Sequence, residues 1–301
     1  MAADVPGSPT GTLSGMTIDP SWIEATAAEV GLPDSIGHAV AGLAAWALEA
    51  TALGHAPALG SLKLGGPPDM LTDGADWPAD RDGRPMAFLA QIPAADMAII
   101  DGWPAPQEGL ASFFLPAQEI HGPPEPGPEQ PRVVWTVASA DHLERREPPP
   151  GTPILPECAL APRRVLTIPM LSVEPAAVLR PLRIAEEDGG SWKLWDAYDV
   201  LAGSLRDVQE RRDAHQIGGW APGIQTDPLE DCVERDQELD GAQDSDPRKV
   251  ALTWQHLLTV GTYSSPQALP LGDGGHIVFA ARHSDTAALR LDRVRHTIQS
   301  H

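Results

Sequence analysis

Lys63-Leu64-Gly65-Gly66-Pro67-Pro68, Pro85-Met86-Ala87-Phe88-Leu89-Ala90-Gln91-Ile92 and Gly109-Leu110-Ala111-Ser112-Phe113-Phe114 form an ordered series in the first half of the chain. A weaker series answers it: Gly218-Gly219-Trp220-Ala221-Pro222, Trp254-Gln255-His256-Leu257-Leu258-Thr259-Val260 and Gly274-Gly275-His276-Ile277-Val278-Phe279-Ala280. Each runs from a Gly-Gly turn with a following proline to a strand-like apolar segment, a variable connection, and a glycine that launches an alternating strand. The expected fold class is therefore α+β: a duplicated β-rich body of two related halves preceded by an N-terminal helical layer. The first repeat spans about residues 60–120 and the second about 213–285. Their seam is the default place for a site, and the repeat itself carries geometry rather than chemistry.

With 301 residues the chain can bury a sizeable core. Lys+Arg 21 against Asp+Glu 42 leaves a formal net charge of -21, which opposes attraction to nucleic-acid phosphates and anionic membranes. A basic protein partner fits that charge, as does an acidic composition that serves solubility alone. Cys158 and Cys232 form neither a disulfide framework nor a C-x-x-C pair. Met1–Thr10 lacks the basic start and apolar core of a secretory leader, so the expected location is cytoplasmic. The apolar stretch Ala39–Leu53 carries Glu49, is too short to span a bilayer, and is read as a core helix.

Residues 1–16 are read as a disordered tail, 17–54 as the helical layer and 55–301 as the duplicated domain. Asp19-Pro20 makes an N-cap and an N1 proline for a first helix whose face is Trp22, Ile23, Ala27 and Val30, ended by Gly31. Ile36, Val40, Leu43 and Ala47 continue a second helix, widened by Trp46 and Leu53 and stopped at Gly54. The best strands are Phe88–Ile92, Leu110–Leu115, Val133–Val137 and Val165–Ile168. Residues 121–131 and Pro148–Pro156 are extended proline-rich loops. Pro175–Leu179 and Trp192–Leu205 read as helices, the latter with a core stripe of Trp192, Trp195 and Tyr198.

Lys63-Leu64-Gly65-Gly66-Pro67, Trp77-Pro78, Pro85 to Ile92 and Gly109 to Phe114, followed by His215 to Gly219, Ile224-Gln225, Leu257 to Val260 and Gly272-Asp273-Gly274-Gly275-His276, resemble in their order the YwqG-like family (domain of unknown function 1963). Asp292 and Gln299 extend the match to the last residues. The chain departs from the family where Thr259-Val260-Gly261 replaces Gln-Ile-Asp and where Leu64 replaces an aromatic residue, so no polar role is carried over to Thr259. The resemblance implies a duplicated, mainly β, α+β fold with no established enzymatic activity or cofactor. It also points toward bacterial toxin and immunity systems as the setting.

No Gly-Lys pair occurs, so a P-loop is absent, as are H-E-x-x-H, G-x-S-x-G and a dinucleotide fingerprint. Asp236-Gln237-Glu238-Leu239-Asp240-Gly241 begins like an EF-hand loop, but Pro247 at the twelfth place cannot supply the bidentate carboxylate. Asp227 to Asp246 is therefore read as a solvated acidic loop. Its Asp227, Glu230, Asp231, Glu234, Asp236, Glu238 and Asp240 are the candidate contacts for a basic partner. Lys63, Gln91, His215, Gln225 and Asp273 are the candidates for the seam, where buried glutamine amides must either lock the fold or meet a ligand. No catalytic residue, metal site or cofactor is assigned. Three roles follow: a non-catalytic binding or immunity-type protein with an acidic surface, an enzyme or small-ligand binder at the seam, and a scaffold that uses its proline-rich loops.

Overall fold

The computed structural model describes residues 18–74, 76–104, 108–120, 130–170, 192–211, 215–224, 226–240, 246–261 and 275–300. The tail 1–16, the helix read at Pro175–Leu179, most of the loop 121–131, Gln225 and Asp273 lie outside them. Helix α1 (Pro20–Glu29) starts as its sequence dictates: the Asp19 carboxylate accepts from Ser21 N and Trp22 N at 2.9 and 3.3 Å. Ile23 and Ala27 pack on Ile36 and Val40 of α2 (Asp34–Leu43).

There the chain departs from its sequence reading. Ala44 is extended (φ -59°, ψ 133°), and Ala45–Ala52 is strand β1, not the second half of a helix that stops at Gly54. Its Ala, Leu, Trp and Glu residues are good helix formers, but both of its edges are occupied. It pairs with β8 (Cys158–Thr167) from Ala45↔Thr167 to Ala52↔Leu160, and with β9 (His215–Ile217) from Leu48↔Ile217 to Ala50↔His215. Backbone pairing on both sides and burial outweigh local propensity.

The remaining elements are β2 (Lys63–Leu64), β3 (Asp69–Leu71), β4 (Ala87–Pro93), α3 (Ala94–Met97), β5 (Leu110–Leu115), β6 (Arg132–Thr136), β7 (Leu143–Arg145), α4 (Trp192–Val208), α5 (Pro228–Asp240), α6 (Pro247–Ala251), β10 (Trp254–Gly261), β11 (His276–Arg282), α7 (His283–Ala287) and β12 (Arg295–Gln299). Ten strands form one sheet in the order β12-β11-β10-β9-β1-β8-β2-β4-β5-β6, antiparallel throughout, and β3 pairs with β7 in a small second sheet. Outward from the central β1/β8 pair, each wing runs through a short strand that follows β1 or β8 in sequence, then three more in chain order. The wings curl toward one another. Phe113 of β5 meets Phe279 of β11 edge to face at 5.1 Å, and His296 of β12 reaches Glu119 beside β5 at 2.6 Å. One core with Leu89, Phe113, Ile217, Leu257, Phe279 and Val294 fills the concave side.

Helix α4 covers α1 and α2 with Tyr198 and Leu201, and its Trp195 packs at the margin. The Tyr198 hydroxyl donates to Pro169 O at 2.6 Å. The acidic stretch is a second correction: Pro228–Asp240 is a helix, not a solvated loop. Leu229, Cys232 and Val233 bury one face of it against Trp254 and Ala280. Arg282 and Arg295, from later strands, pair with Asp236 on that face, so an acid that looks fit only for solvent is buried in the helix.

Candidate functional site

Lys63 is fully buried. On β2 it stands opposite Gln91 of β4 and Ala159 of β8, and the alternate row Leu64, Ala90 and Cys158 belongs to the core. Its Nζ donates to Pro67 O at 2.6 Å, Glu157 Oε1 at 3.1 Å and Asp69 Oδ1 at 3.4 Å. Asp69 Oδ2 accepts from Gly60 N and Gln91 Nε2, both at 2.6 Å, while Gln91 Oε1 accepts from Asp69 N at 3.0 Å and Gln91 Nε2 also donates to Ser61 O. Arg145 closes the group, 3.7 Å from Asp69 and 3.4 Å from Glu157. Two cations meet two carboxylates and the Gln91 amide is saturated, so this cluster holds chain segments together.

Across the sheet the same register recurs with other residues. Gln216 of β9 stands opposite Thr259 of β10 and Glu49 of β1. Its Oε1 accepts from Arg211 at 2.6 Å, and its Nε2 donates to Gly218 O and Trp220 O at 3.0 and 2.6 Å. Glu49 is held by Arg163 and Arg211. His256 donates through Nδ1 to Gly218 O at 2.8 Å and accepts the Thr259 hydroxyl at Nε2, 2.7 Å away; burial pushes its pKa down to about 4, so the ring is neutral at pH 7. His215 points to the opposite, core-side face. Gly261 N donates to its Nδ1 at 3.2 Å, its Nε2 has no partner among the described residues, and burial likewise holds its pKa at about 4.

Both Gly-Gly turns need glycine. Gly65, Gly66, Gly218 and Gly219 have φ of 55°, 66°, 65° and 65°. A Cβ on Gly65 would overlap the Pro156 carbonyl oxygen, and one on Gly219 would sit 2.6 Å from Thr167 Oγ1 and 2.8 Å from Ala47 Cβ.

Beside the second turn lies a cavity of about 790 Å³, between the segment 98–103 after α3 and the Gly219-Trp220, α6 and β10 side of the molecule. Trp46, Trp103, Trp220 and Trp254 wall it, four of the nine tryptophans in the chain, together with Arg164 and His256. Trp220 is pinned by its Nε1, which donates to Leu43 O at 2.7 Å. The Arg164 guanidinium lies 4.3 Å over the Trp46 ring. Three buried donors of lining residues, Trp103 Nε1, Trp254 Nε1 and Gln255 Nε2, have no acceptor among the described residues.

Of the residues expected at a seam, the fold brings Lys63 and Gln91 together. It leaves His215 beyond β8 and β1, facing the other way. Of the acids expected to meet a basic partner, Asp227 is buried and accepts from Leu229 N at 2.8 Å, Asp231 binds Thr226 and Gln299, and Asp236 pairs with Arg282 and Arg295, both at 2.7 Å. Burial raises Asp227 to about 6, and burial and the Asp227 charge raise Glu230 to about 7, with Arg248 3.6 Å away. Glu234 and Glu238 are exposed, and the Asp240 side chain lies outside the described set. The sequence reading missed the cavity. Its one signal was Trp220, directly after a Gly-Gly turn. Among the described residues, no group of three or more His, Cys, Asp or Glu could hold a metal ion, and no helix is long and apolar enough to cross a membrane.

The chain is thus a mixed helix-and-sheet protein built on one curled antiparallel sheet, with a tryptophan-walled cavity at one Gly-Gly turn. It belongs to the DUF1963 (YwqG-like) family: the model for that domain of unknown function matches residues 62–300, as the ordered motifs implied. The match begins after β1, although β1 is a central strand of the sheet. A search of curated proteins finds no match to the chain.

Proposed function

We propose that this is a non-catalytic binding protein of two related halves, whose ligand occupies the cavity between the segment 98–103 of the first half and the Gly219-Trp220 turn of the second. Relatedness of the halves is supported by matching detail. Lys63↔Gln91 and Gln216↔Thr259 hold the same register, and the ladder slips at Leu89 and at Leu257, whose carbonyls accept from Gly65 N at 2.9 Å and Gly218 N at 3.2 Å. A Cβ on Gly66 would meet Glu157 and one on Gly219 would meet Ala47, each at 2.8 Å, one at the entry to β8 and the other to β1. Antiparallel pairing of β1 with β8 then relates the halves as a pseudo-dyad.

The observation that carries the binding reading is the cavity itself. Its volume of about 790 Å³ suits a small organic molecule, and such sites are apolar with a few placed polar groups. The clasp around Lys63 and Gln91, by contrast, satisfies its polar groups with one another. The test uses anilinonaphthalene sulfonate with the folded chain and with Ala98→Trp, which places a bulky side chain at a residue lining the cavity. Saturable one-site binding that Ala98→Trp removes without lowering the melting temperature supports the reading; absence of binding, or binding indifferent to the substitution, refutes it.

A second reading, an acidic surface for a basic, toxin-like protein in the cytoplasm, is favoured by the net charge of -21 and by Glu234 and Glu238, which face solvent on α5. It predicts retention of a basic protein at low ionic strength that Glu234→Lys with Glu238→Lys abolishes. Retention unchanged by salt or by the substitutions counts against it.

A further inference from the structure

We infer that the cavity ligand is an aromatic carboxylate, its ring system against the tryptophan walls and its carboxylate on Arg164; this rests on the cavity reading above. Arg164 is the informative residue. In a chain where Asp+Glu 42 outnumber Lys+Arg 21, arginines readily find carboxylates: Arg145, Arg163, Arg211, Arg282 and Arg295 all do. Arg164 lies exposed at the rim of the cavity and makes no ion pair with any described residue. Its guanidinium is instead held 4.3 Å above the Trp46 ring. Stacking fixes the plane of the fork and leaves its edge free, the preorganised state of a bidentate carboxylate receptor.

Tryptophan walls favour a flat, π-rich body through offset and edge-to-face contacts. Trp103, Trp254 and Gln255 carry N–H groups with no described acceptor, and both His256 nitrogens are already engaged. Asp101 also lines the cavity and repels an anion, which leaves Arg164 as the cation for the ligand's carboxylate. A purely aliphatic ligand would leave that guanidinium unmatched.

The test is isothermal titration of the full chain with naphthoate and with its uncharged amide, at one ionic strength, repeated for Arg164→Gln, Arg164→Lys and Ala98→Trp. Naphthoate binds about tenfold tighter than the amide, since a hydrogen bond to a charged group at a partly open site contributes near the lower end of its range. Arg164→Gln erases that preference, Arg164→Lys retains part of it, and Ala98→Trp abolishes binding of both. Equal binding of acid and amide, still sensitive to Ala98→Trp, overturns the carboxylate inference and leaves the cavity reading standing, as does an acid preference that survives Arg164→Gln. If neither probe nor anilinonaphthalene sulfonate binds, both fall.

Discussion

Replacing Lys63 by methionine removes a buried ammonium and keeps most of the side-chain volume, so the loss measures the charge cluster rather than a cavity. Pro67 O loses its 2.6 Å donor, and Asp69 and Glu157 lose contacts at 3.4 and 3.1 Å. Breaking a buried pair by deleting one partner costs about 3–5 kcal/mol. Arg145, 3.7 Å from Asp69 and 3.4 Å from Glu157, retains part of the neutralisation and places the expected loss near the lower figure, about 3 kcal/mol. Against a total stability of about 5–15 kcal/mol, that is a large fraction. The assay is guanidinium unfolding followed by tryptophan fluorescence. A cycle of Lys63→Gln, Glu157→Ala and the double variant sharpens it, because Lys63 Nζ and Glu157 Oε1 are in direct contact at 3.1 Å. The double variant should be at least about 1 kcal/mol more stable than the sum of the single losses requires, as is common for residues in direct contact. A loss for Lys63→Met below about 1 kcal/mol, the level of an exposed pair, or strict additivity in the cycle, would falsify the view that charge pairing fastens this turn.

Gly65→Ala should be far more damaging than Gly31→Ala: both have positive φ, which alone costs about 1–2 kcal/mol, but a Cβ at Gly65 overlaps the Pro156 carbonyl oxygen whereas one at Gly31 meets nothing within 4 Å. Similar melting temperatures for the two would contradict the packing at the turn. The buried histidines and the α5 acids pull stability in opposite directions with pH. His215 and His256, lowered to about 4, contribute stability present above the unfolded value near 6.5 and lost as pH falls toward 4. Glu230, raised to about 7 from 4.5, contributes stability present below 4.5 and lost as pH rises through 7. Glu230→Gln should therefore stabilise the protein most at pH 8, with the gain gone by pH 5, in paired melting curves; a gain that does not change with pH would sink the assignment. Finally, a chain beginning at residue 62, where the family match begins, should not fold by circular dichroism, because it deletes β1 and bares both the β8 and β9 edges.

What could be read from the sequence was what is local. Leu110–Leu115 is a strand over those very residues, Asp19 caps α1 as Asp-Pro implies, and Tyr198 buries as a helical stripe should. Ala45–Ala52 was illegible because no local window distinguishes it from helix; its partners lie at 160–167 and 215–217, and only their pairing decides. The α5 acids misled for a related reason, since Arg282 and Arg295, which neutralise Asp236, come from strands later in the chain. For Lys63, Asp69 was near enough to suspect, whereas Glu157 was not. His215 and Gln216 alternate on β9, so strand pairing turns Gln216 toward Thr259 and Glu49 and His215 to the other face, which no sequence window shows.

The cavity was invisible because its walls come from separate segments, and only the fold brings Trp46, Trp103, Arg164, Trp220 and Trp254 around one space. The two turns are fastened by different residues. At the first turn, the residue entering the neighbouring strand is Glu157, whose carboxylate reaches Lys63 and Arg145. At the second turn that residue is Ala47, with no group to reach Gln216. Gln216 Nε2 is spent on the turn's own carbonyls, Gly218 O and Trp220 O, and its Oε1 on Arg211, and the chain leaves the turn through Trp220, whose indole is fastened to Leu43 O. Charge fastens both sides, through Lys63 with Asp69 and Glu157 on one and through Glu49 with Arg163 and Arg211 on the other. What sets the second side apart is the space beside its turn, where indoles of four tryptophans line the gap to the segment 98–103.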